Sequence, residues 1–219
     1  MSCVLVDDCE FGSVGGAGVG IYVPAQIVTA GGSDNLAVNA KEGTYGYLFG
    51  IGSWAGYAVP AAAEYYMSFF AVSIQAVADT NRSRHVMWLS GGVVLGALAW
   101  NGATYRYELW TGNPGAGGTL RATGTTIVPA LANGGAHKNF NLRVKISDTV
   151  GSLQMWLEGA STPEVQWDLQ DTQPGVETTI DEFRIGDQLR TDSLWWNNTL
   201  GVDNNGRPGV VRAATDRPP

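Results

Sequence analysis

The segment LRVKISDTVGSLQMWLEG, residues 142–159, alternates apolar and polar side chains on both sides of a short break. The break, residues 148–151, has the polar and glycine-containing composition of a turn. Alternation with a period of two is typical of a strand that buries one face. The segment therefore predicts an antiparallel hairpin whose two strands turn the same apolar face toward a core.

The two faces of this hairpin follow directly from the alternation. Trp156 is the exception, because it is a large apolar residue on the polar, outward face. The inward residues are predicted to be Leu142, Val144, Ile146, Leu153, Met155 and Leu157, and the outward ones Arg143, Lys145, Gln154 and Glu158.

Short apolar runs separated by some of the 30 glycines recur through the rest of the chain, and no window has convincing helical periodicity. Residues 64–74 read as a central strand, and residues 178–186 as a strand with Phe183 and Ile185 inward. About ten to twelve short strands without helices predict an all-β fold, an antiparallel β-sandwich or a barrel. We expect one domain over residues 1–201, with glycine-rich N-terminal loops, and a C-terminal arm over 202–219.

Charge limits the possible partners. The chain has 13 Lys and Arg against 20 Asp and Glu, a formal net charge of −7, so nucleic acid is an unfavourable partner. No apolar run reaches the roughly 18 residues that a bilayer-spanning helix needs, and the N-terminus lacks the pattern of a secretory leader. We therefore expect neither membrane insertion nor export.

Several segments occur in an order typical of one group of proteins. The first strand ends in DDCEFG at residues 7–12, and the hairpin is followed by IDEFRIG at 180–186. The chain then closes with DSLWW at 192–196, DNNG at 203–206 and GVVR at 209–212. This order resembles the concanavalin A-like (laminin-G-like) jelly-roll virion structural proteins of tailed bacteriophages.

The resemblance covers about half of the chain, and it implies a fold and a function. The implied fold is a jelly-roll β-sandwich. The implied function is that of a non-enzymatic capsid decoration (cement) protein, a homo-oligomer that contacts the major capsid protein or other virion proteins. Such a protein is made in the host cytoplasm and resides in the virion. The alternative is a carbohydrate-binding, host-adhesion module on the tail or a fibre.

Catalytic residues are sparse in the sequence. The three alternating acidic residues that a sandwich glucanase requires are absent, and Glu164 with Asp168, beside Trp167, is the nearest pair. His85 and His137 are the two histidines, and there is no Gly-x-Ser-x-Gly elbow. We expect His85 in a loop or at a strand edge and predict that the chain is not an enzyme, with a glycosidase as the third hypothesis.

Metal binding rests on two short acidic strings, residues 7–8 and 203–206, which could supply part of a Ca²⁺ site. A Ca²⁺ ion takes 6–8 oxygen ligands, and strings of this length are usually turns. We therefore predict no cofactor, and Ca²⁺ is the alternative.

Exposed aromatic residues are the candidates for contacts with a partner or a glycan. Trp195 and Trp196 are adjacent on a predicted strand, so at most one of them faces the core. The irregular segments, residues 12–39 and 202–219, are further candidates for contacts. The candidate interface residues are Trp54, Tyr57, Trp156, Trp195, Trp196, Val210, Val211 and Arg212.

Overall fold

The regular elements of the chain are strands throughout the part that the structure, a computed structural model, describes: residues 3–7, 27–30, 33–36, 46–49, 54–73, 82–130, 134–186 and 194–203. These strands are β1 (Cys3–Asp7), β2 (Ile27–Ala30), β3 (Ser33–Leu36), β4 (Gly46–Phe49), β5 (Trp54–Ala62), β6 (Glu64–Ser73), β7 (Ser83–Ser90), β8 (Val93–Asn101), β9 (Arg106–Thr111), β10 (Thr119–Thr123), β11 (Lys138–Lys145), β12 (Gly151–Leu157), β13 (Val165–Gln170), β14 (Ile180–Gly186) and β15 (Leu194–Asp203).

The strands form two antiparallel sheets. The first sheet has eight strands in the order β13-β12-β11-β6-β15-β4-β3, and β1 also pairs with β15. The second sheet has seven strands in the order β10-β9-β8-β7-β14-β5-β2. One of the passages of the chain from the second sheet to the first is at Ala63, between β5 and β6. The two packed sheets confirm the predicted all-β sandwich.

A core of inward side chains joins the two sheets. Phe140 of the first sheet stacks on Phe69 at 5.1 Å between ring centroids and meets Tyr107 of the second sheet at 4.8 Å. Tyr65 of the first sheet meets Phe183 of the second edge to face at 5.3 Å. Aromatic pairs at such spacings add to the stabilisation from buried area. These contacts fix the sheets face to face, and all five rings are at most 2% exposed.

The hairpin predicted from residues 142–159 is confirmed by β11 and β12. Leu142 pairs with Met155 and Val144 with Leu153, and all four side chains lie in the core. β6 is a central strand as expected, because it pairs with β11 on one side and with β15 on the other. The alternation of the sequence therefore determines which residues of these strands face outward.

The turn of the hairpin depends on a close contact with a distant residue. The Thr172 hydroxyl donates to the Lys145 carbonyl at 2.7 Å and accepts the Ser147 amide at 3.1 Å. A Cβ atom added at Gly151 would lie 1.9 Å from the same hydroxyl oxygen. Glycine at 151 therefore gives Thr172 the room to bind the backbone of residues 145 and 147, where the chain enters the turn.

Three expectations need correction. The described residues hold fifteen strands, more than the ten to twelve expected. β15 extends to Asp203, so the first two residues of the predicted arm belong to the first sheet, and residues 204–219 lie outside the described residues. His85 is neither in a loop nor at an edge, because β7 lies between β8 and β14.

His85 is fully buried, and its Nδ1 lies 3.2 Å from the Tyr107 hydroxyl oxygen. Burial lowers the pKa of His85 from 6.5 to about 3, because the imidazolium form loses its hydration. Below pH 6.5 the His85 ring therefore becomes protonated in the unfolded chain, whereas in the folded chain it stays neutral down to about pH 3. The contribution of His85 to stability is complete above that pH and decreases as the pH falls toward the lowered pKa.

We predict that the free energy of unfolding of the wild type falls between pH 7 and pH 5 by about 2 kcal/mol more than that of the His85→Gln variant. The variant retains an acceptor for the Tyr107 hydroxyl and has no titrating ring. Urea unfolding at pH 7, 6 and 5 measures the two slopes. Equal slopes would show that His85 does not titrate differently in the folded and unfolded chains.

Candidate functional site

The outer face of the first sheet carries polar and aromatic side chains in register across three strands. In one row Gln154 of β12 pairs with Arg143 of β11, which pairs with Tyr66 of β6. In the next row Trp156 pairs with Asn141. Directly opposed residues of antiparallel strands share one face and lie about 5 Å apart, so the rows form a continuous surface.

Arg143 is at the centre of this surface. Its Nε donates to Glu64 Oε1 at 2.7 Å, and its Nη1 donates to the side-chain oxygen of Gln154 at 3.0 Å. The guanidinium also lies over the Tyr66 ring at 5.7 Å from the centroid, and the Tyr66 hydroxyl donates to the same Glu64 oxygen at 3.0 Å. These contacts hold four side chains from three strands in one arrangement.

Electrostatics favour this arrangement. Desolvation by itself would lower the pKa of Arg143, but the hydrogen bond and negative charge of Glu64 outweigh it and raise the pKa. Tyr66 and Asp168 act in the same direction. Arg143 therefore stays charged and stays paired, with 27% of its side chain exposed.

Aromatic and amide side chains surround the Arg143 cluster. Trp156 and Phe70 are partly exposed, and the Asn141 amide donates to Asn139 Oδ1 at 3.0 Å. An aromatic face beside fixed hydrogen-bonding groups suits a ligand that has both apolar and polar faces. We call this set the polar platform: Glu64, Tyr66, Phe70, Asn139, Asn141, Arg143, Gln154 and Trp156.

The outer face of the second sheet differs, because its central part is closed. Met87, Leu89 and Ala97 form a second apolar cluster there, and each is at most 1% exposed. At its margin the Arg184 guanidinium lies 4.1 Å from the centroid of the Trp54 ring and pairs with Glu182 at 2.6 Å. One face of the Trp54 indole is thus already covered by a side chain of the same sheet.

A buried polar cluster lies on the same outer face. Glu108, which is 2% exposed, accepts hydrogen bonds from Arg82 at 2.6 Å, from Asn101 at 2.8 Å and from the Trp110 indole at 3.0 Å. The sequence did not predict the burial of Glu108. A carboxylate with three donors is satisfied and serves as structural support.

A cavity of about 350 Å³ opens at one end of the second sheet. Its described lining contains Val93, Val94, the loop over residues 112–118 and Pro174, with Glu177 at the rim. Asn113 Oδ1 accepts hydrogen bonds from Arg84 Nη1 at 2.8 Å and from the Gly115 amide at 3.0 Å. The described lining offers no aromatic ring, so the polar platform is the better equipped surface for recognition.

The candidate catalytic pair is engaged in structural contacts. Glu164 accepts the amides of Thr125 and Thr126 at 2.7 and 2.6 Å and the Thr126 hydroxyl at 2.6 Å. Asp168 accepts the Ser152 hydroxyl. Burial would raise the pKa of Glu164, but the hydrogen bonds from Thr126 and Thr125 outweigh it and lower the pKa. Glu164 is therefore a fixed carboxylate that caps the loop at residues 124–126.

The predicted interface residues lie in different parts of the structure. Trp156 lies outward on the polar platform, as expected, and Trp54 lies at the margin of the second sheet. Tyr57 was expected at an interface, and this expectation is wrong. Its side chain is 1% exposed and belongs to the core, where neither a sugar nor a partner reaches it.

The other candidates lie at the C-terminal end. Trp195 and Trp196 are in β15, opposite Val72 and Ala71 of β6. Val210, Val211 and Arg212 lie outside the described residues.

Sequence reasoning missed Glu64, Tyr66 and Phe70 as site residues. Glu64 and Arg143 are 79 positions apart, so no local pattern joins them. The alternation of residues 64–70 identifies their shared face only after β6 is paired with β11. The available signal was therefore the combination of two alternating segments.

Among the residues that the structure describes, no group of three or more His, Cys, Asp or Glu side chains is placed to hold a metal ion. Within the same ranges no helix is long and apolar enough to span a membrane.

Comparison with known proteins relates the fold to jelly-roll domains. No protein-family model matches the sequence, and a search of curated proteins finds no match. The fold is similar to that of the solved structure of Cip1, a cellulose induced protein. That match has a TM-score of 0.58 at 12% identity and covers 91% of this chain and 97% of Cip1.

Two botulinum neurotoxins share the fold. The receptor-binding domain of type G matches with a TM-score of 0.58 at 8% identity, over 92% of this chain and 47% of that chain. Type C, which depends on interaction with two ganglioside molecules to enter cells, matches with a TM-score of 0.52 at 5% identity, over 79% and 42%. This chain spans less than half the length of both neurotoxin chains. At these identities the likeness is one of fold, a jelly-roll sandwich.

We predict that Glu164→Ala lowers the free energy of unfolding at pH 7 by about 1–2 kcal/mol, because the amides of residues 125 and 126 lose their acceptor. A lowered carboxyl pKa stabilises the fold above the ordinary value of 4.5, and this contribution is lost as the pH falls through the lowered pKa. The difference between variant and wild type should therefore shrink at low pH. Urea unfolding at pH 7 and at low pH measures it.

Glu177→Ala is the matched control. It removes a glutamate that, among the described residues, has no hydrogen bond of its side chain. An effect of Glu164→Ala no larger than that of Glu177→Ala would contradict the capping role of Glu164.

Proposed function

We propose that this chain is a non-catalytic carbohydrate-binding module that contacts its glycan through the polar platform. The observation that carries the proposal is the Arg143 cluster, in which the Arg143 guanidinium is hydrogen-bonded to both Glu64 and Gln154 beside the partly exposed Trp156. A rigid set of donors and acceptors binds with a smaller loss of conformational freedom than a flexible one.

The chemistry of the platform suits a sugar. A pyranose ring has an apolar face of C–H groups, which packs on an aromatic ring, and a rim of hydroxyl groups, which both donate and accept. Asn141 offers a partly exposed side-chain amide, which also donates and accepts, whereas Gln154 is only 9% exposed and supports Arg143 from below the surface. Phe70 and Trp156 offer the aromatic surface on the same face of the sheet.

The absence of catalysis is part of the proposal. Glu164 and Asp168 would have to protonate or attack a glycosidic bond, but their oxygens already accept hydrogen bonds from Thr125, Thr126 and Ser152. A lowered pKa also makes Glu164 a poor general acid near neutral pH. Both features support a binding role.

The botulinum neurotoxins support the proposal through their fold. The type C protein depends on two gangliosides, which are glycolipids, and it shares the jelly-roll sandwich. The fold is therefore compatible with glycan recognition, while the choice of the polar platform rests on the contacts of this chain alone.

The setting follows from the sequence resemblance. We propose a tail-associated or fibre-associated adhesion module, in which several copies of a weak site bind a host surface together. Capsid decoration stays a prediction from the same resemblance, and the three solved structures described above do not include a virion protein.

The two settings predict different copy numbers. On a tail or fibre we expect a small number of copies per particle, whereas a capsid lattice would hold many copies. Quantitative mass spectrometry of purified virions, scaled to the major capsid protein, measures the ratio. A copy number comparable to that of the capsid subunits would favour decoration over adhesion.

We predict that Trp156→Ala weakens binding to the best-bound oligosaccharide of a glycan array by about tenfold or more, because the sugar loses its stacking surface. Trp54→Ala is the matched control: it removes a partly exposed Trp from the second sheet and is expected to leave the affinity unchanged. Isothermal titration measures both affinities.

Three outcomes would contradict the proposed function. They are an array without any bound glycan, a loss caused by Trp54→Ala instead of Trp156→Ala, and release of new reducing ends by the wild type. Thermal unfolding of both variants checks that the folded state is intact in each titration.

A further inference from the structure

The polar platform carries nearly balanced charge. Arg143 is paired with Glu64 at 2.7 Å, and the neighbouring row brings Lys145 into register with both Glu64 and Ser152, the partner of Asp168. Two cationic and two anionic side chains therefore lie together. The formal net charge of the whole chain is −7, so its long-range electrostatic potential disfavours the approach of an anionic ligand.

The Arg143–Glu64 pair leaves both kinds of hydrogen-bonding group available. Within the described residues, Arg143 uses two of the five N–H donors of a guanidinium, on Nε and Nη1. Glu64 accepts twice through Oε1, and its Oε2 accepts no hydrogen bond in the same part of the chain. The exposed edge of the pair thus presents donors beside an acceptor.

We propose that the platform selects uncharged glycans, with the hydroxyl groups of one sugar bridging Glu64 Oε2 and the free Arg143 N–H groups. This inference rests on the proposed function and names its ligand class. A hydroxyl donates to the carboxylate and accepts from the guanidinium, so a pair of hydroxyls satisfies both partners without breaking their ion pair.

Binding of an anionic sugar beside the Arg143–Glu64 pair is energetically unfavourable. Its carboxylate seeks Arg143, but Glu64 already occupies that cation and would lie next to the incoming charge. Binding then requires either repulsion between two carboxylates or loss of the Arg143–Glu64 hydrogen bond. Glu64 is thus a specificity-determining residue that keeps Arg143 from acting as a receptor for anions.

The experiment compares matched oligosaccharides. An array holding glucose-terminated and glucuronate-terminated versions of the same chains, and galactose-terminated and sialylated versions, is read with the wild type. The neutral members are expected to bind at least about tenfold more tightly.

Glu64→Gln keeps an acceptor at this position and removes its charge. The variant is expected to gain about tenfold in affinity for the anionic members, because Arg143 is released, and this gain should shrink at high salt. Glu177→Gln, which changes the net charge equally at the cavity of the second sheet, is expected to gain nothing. Arg143→Gln is expected to lose neutral binding without any gain for anions.

The possible outcomes separate the two proposals. Preferential binding of anionic members by the wild type, or no gain in Glu64→Gln, would overturn the selectivity and leave the glycan-binding function standing. Failure of the wild type to bind any member would overturn both. The wild-type comparison alone decides the selectivity if Glu64→Gln does not fold.

Discussion

The alternation along β11 determines both the core and the outer surface. Phe140, Leu142 and Val144 point inward and contribute to the packing of the two sheets, so Asn141 and Arg143 between them must point outward. A register slip of one residue would bury a guanidinium in the aromatic core, where its desolvation would cost several kcal/mol. The core therefore fixes the position of the side chains that face the solvent.

The two outer faces use this constraint differently. On the second sheet Met87, Leu89 and Ala97 are buried and Glu108 is enclosed by three donors, so this face is closed. On the first sheet the Arg143 cluster is ordered by hydrogen bonds within the sheet and is partly exposed. An ordered and accessible surface is suited to recognition, whereas an ordered and enclosed one serves stability.

Much of the fold follows from the sequence because half-buried strands can be recognised from the local alternation of apolar and polar residues. The hairpin of β11 and β12, the central position of β6 and the inward Phe183 and Ile185 were all predictable in this way. Trp156 was recognised as outward for the same reason. Glu64, Tyr66 and Phe70 of the same platform were not recognised, since they come from a strand far away in the sequence.

The errors have a common physical cause. Alternation tells which face of a strand a residue occupies, but burial depends on what covers that face. Tyr57 has glycine-rich sequence neighbours and yet packs in the core, and His85 lies beside two arginines and yet is fully buried. Both strands lie inside the second sheet, and the sequence of one strand does not reveal its neighbours.

Hydroxyl-radical footprinting of the full chain, with and without a saturating neutral oligosaccharide, tests the central claim most directly. Mass spectrometry then reports the oxidation of each side chain. If the polar platform binds the glycan, oxidation of Trp156 and Phe70 falls, while that of Trp54 and of Val176, which is 86% exposed, is unchanged. Protection of Trp54 or Val176 with no change at Trp156 would contradict it.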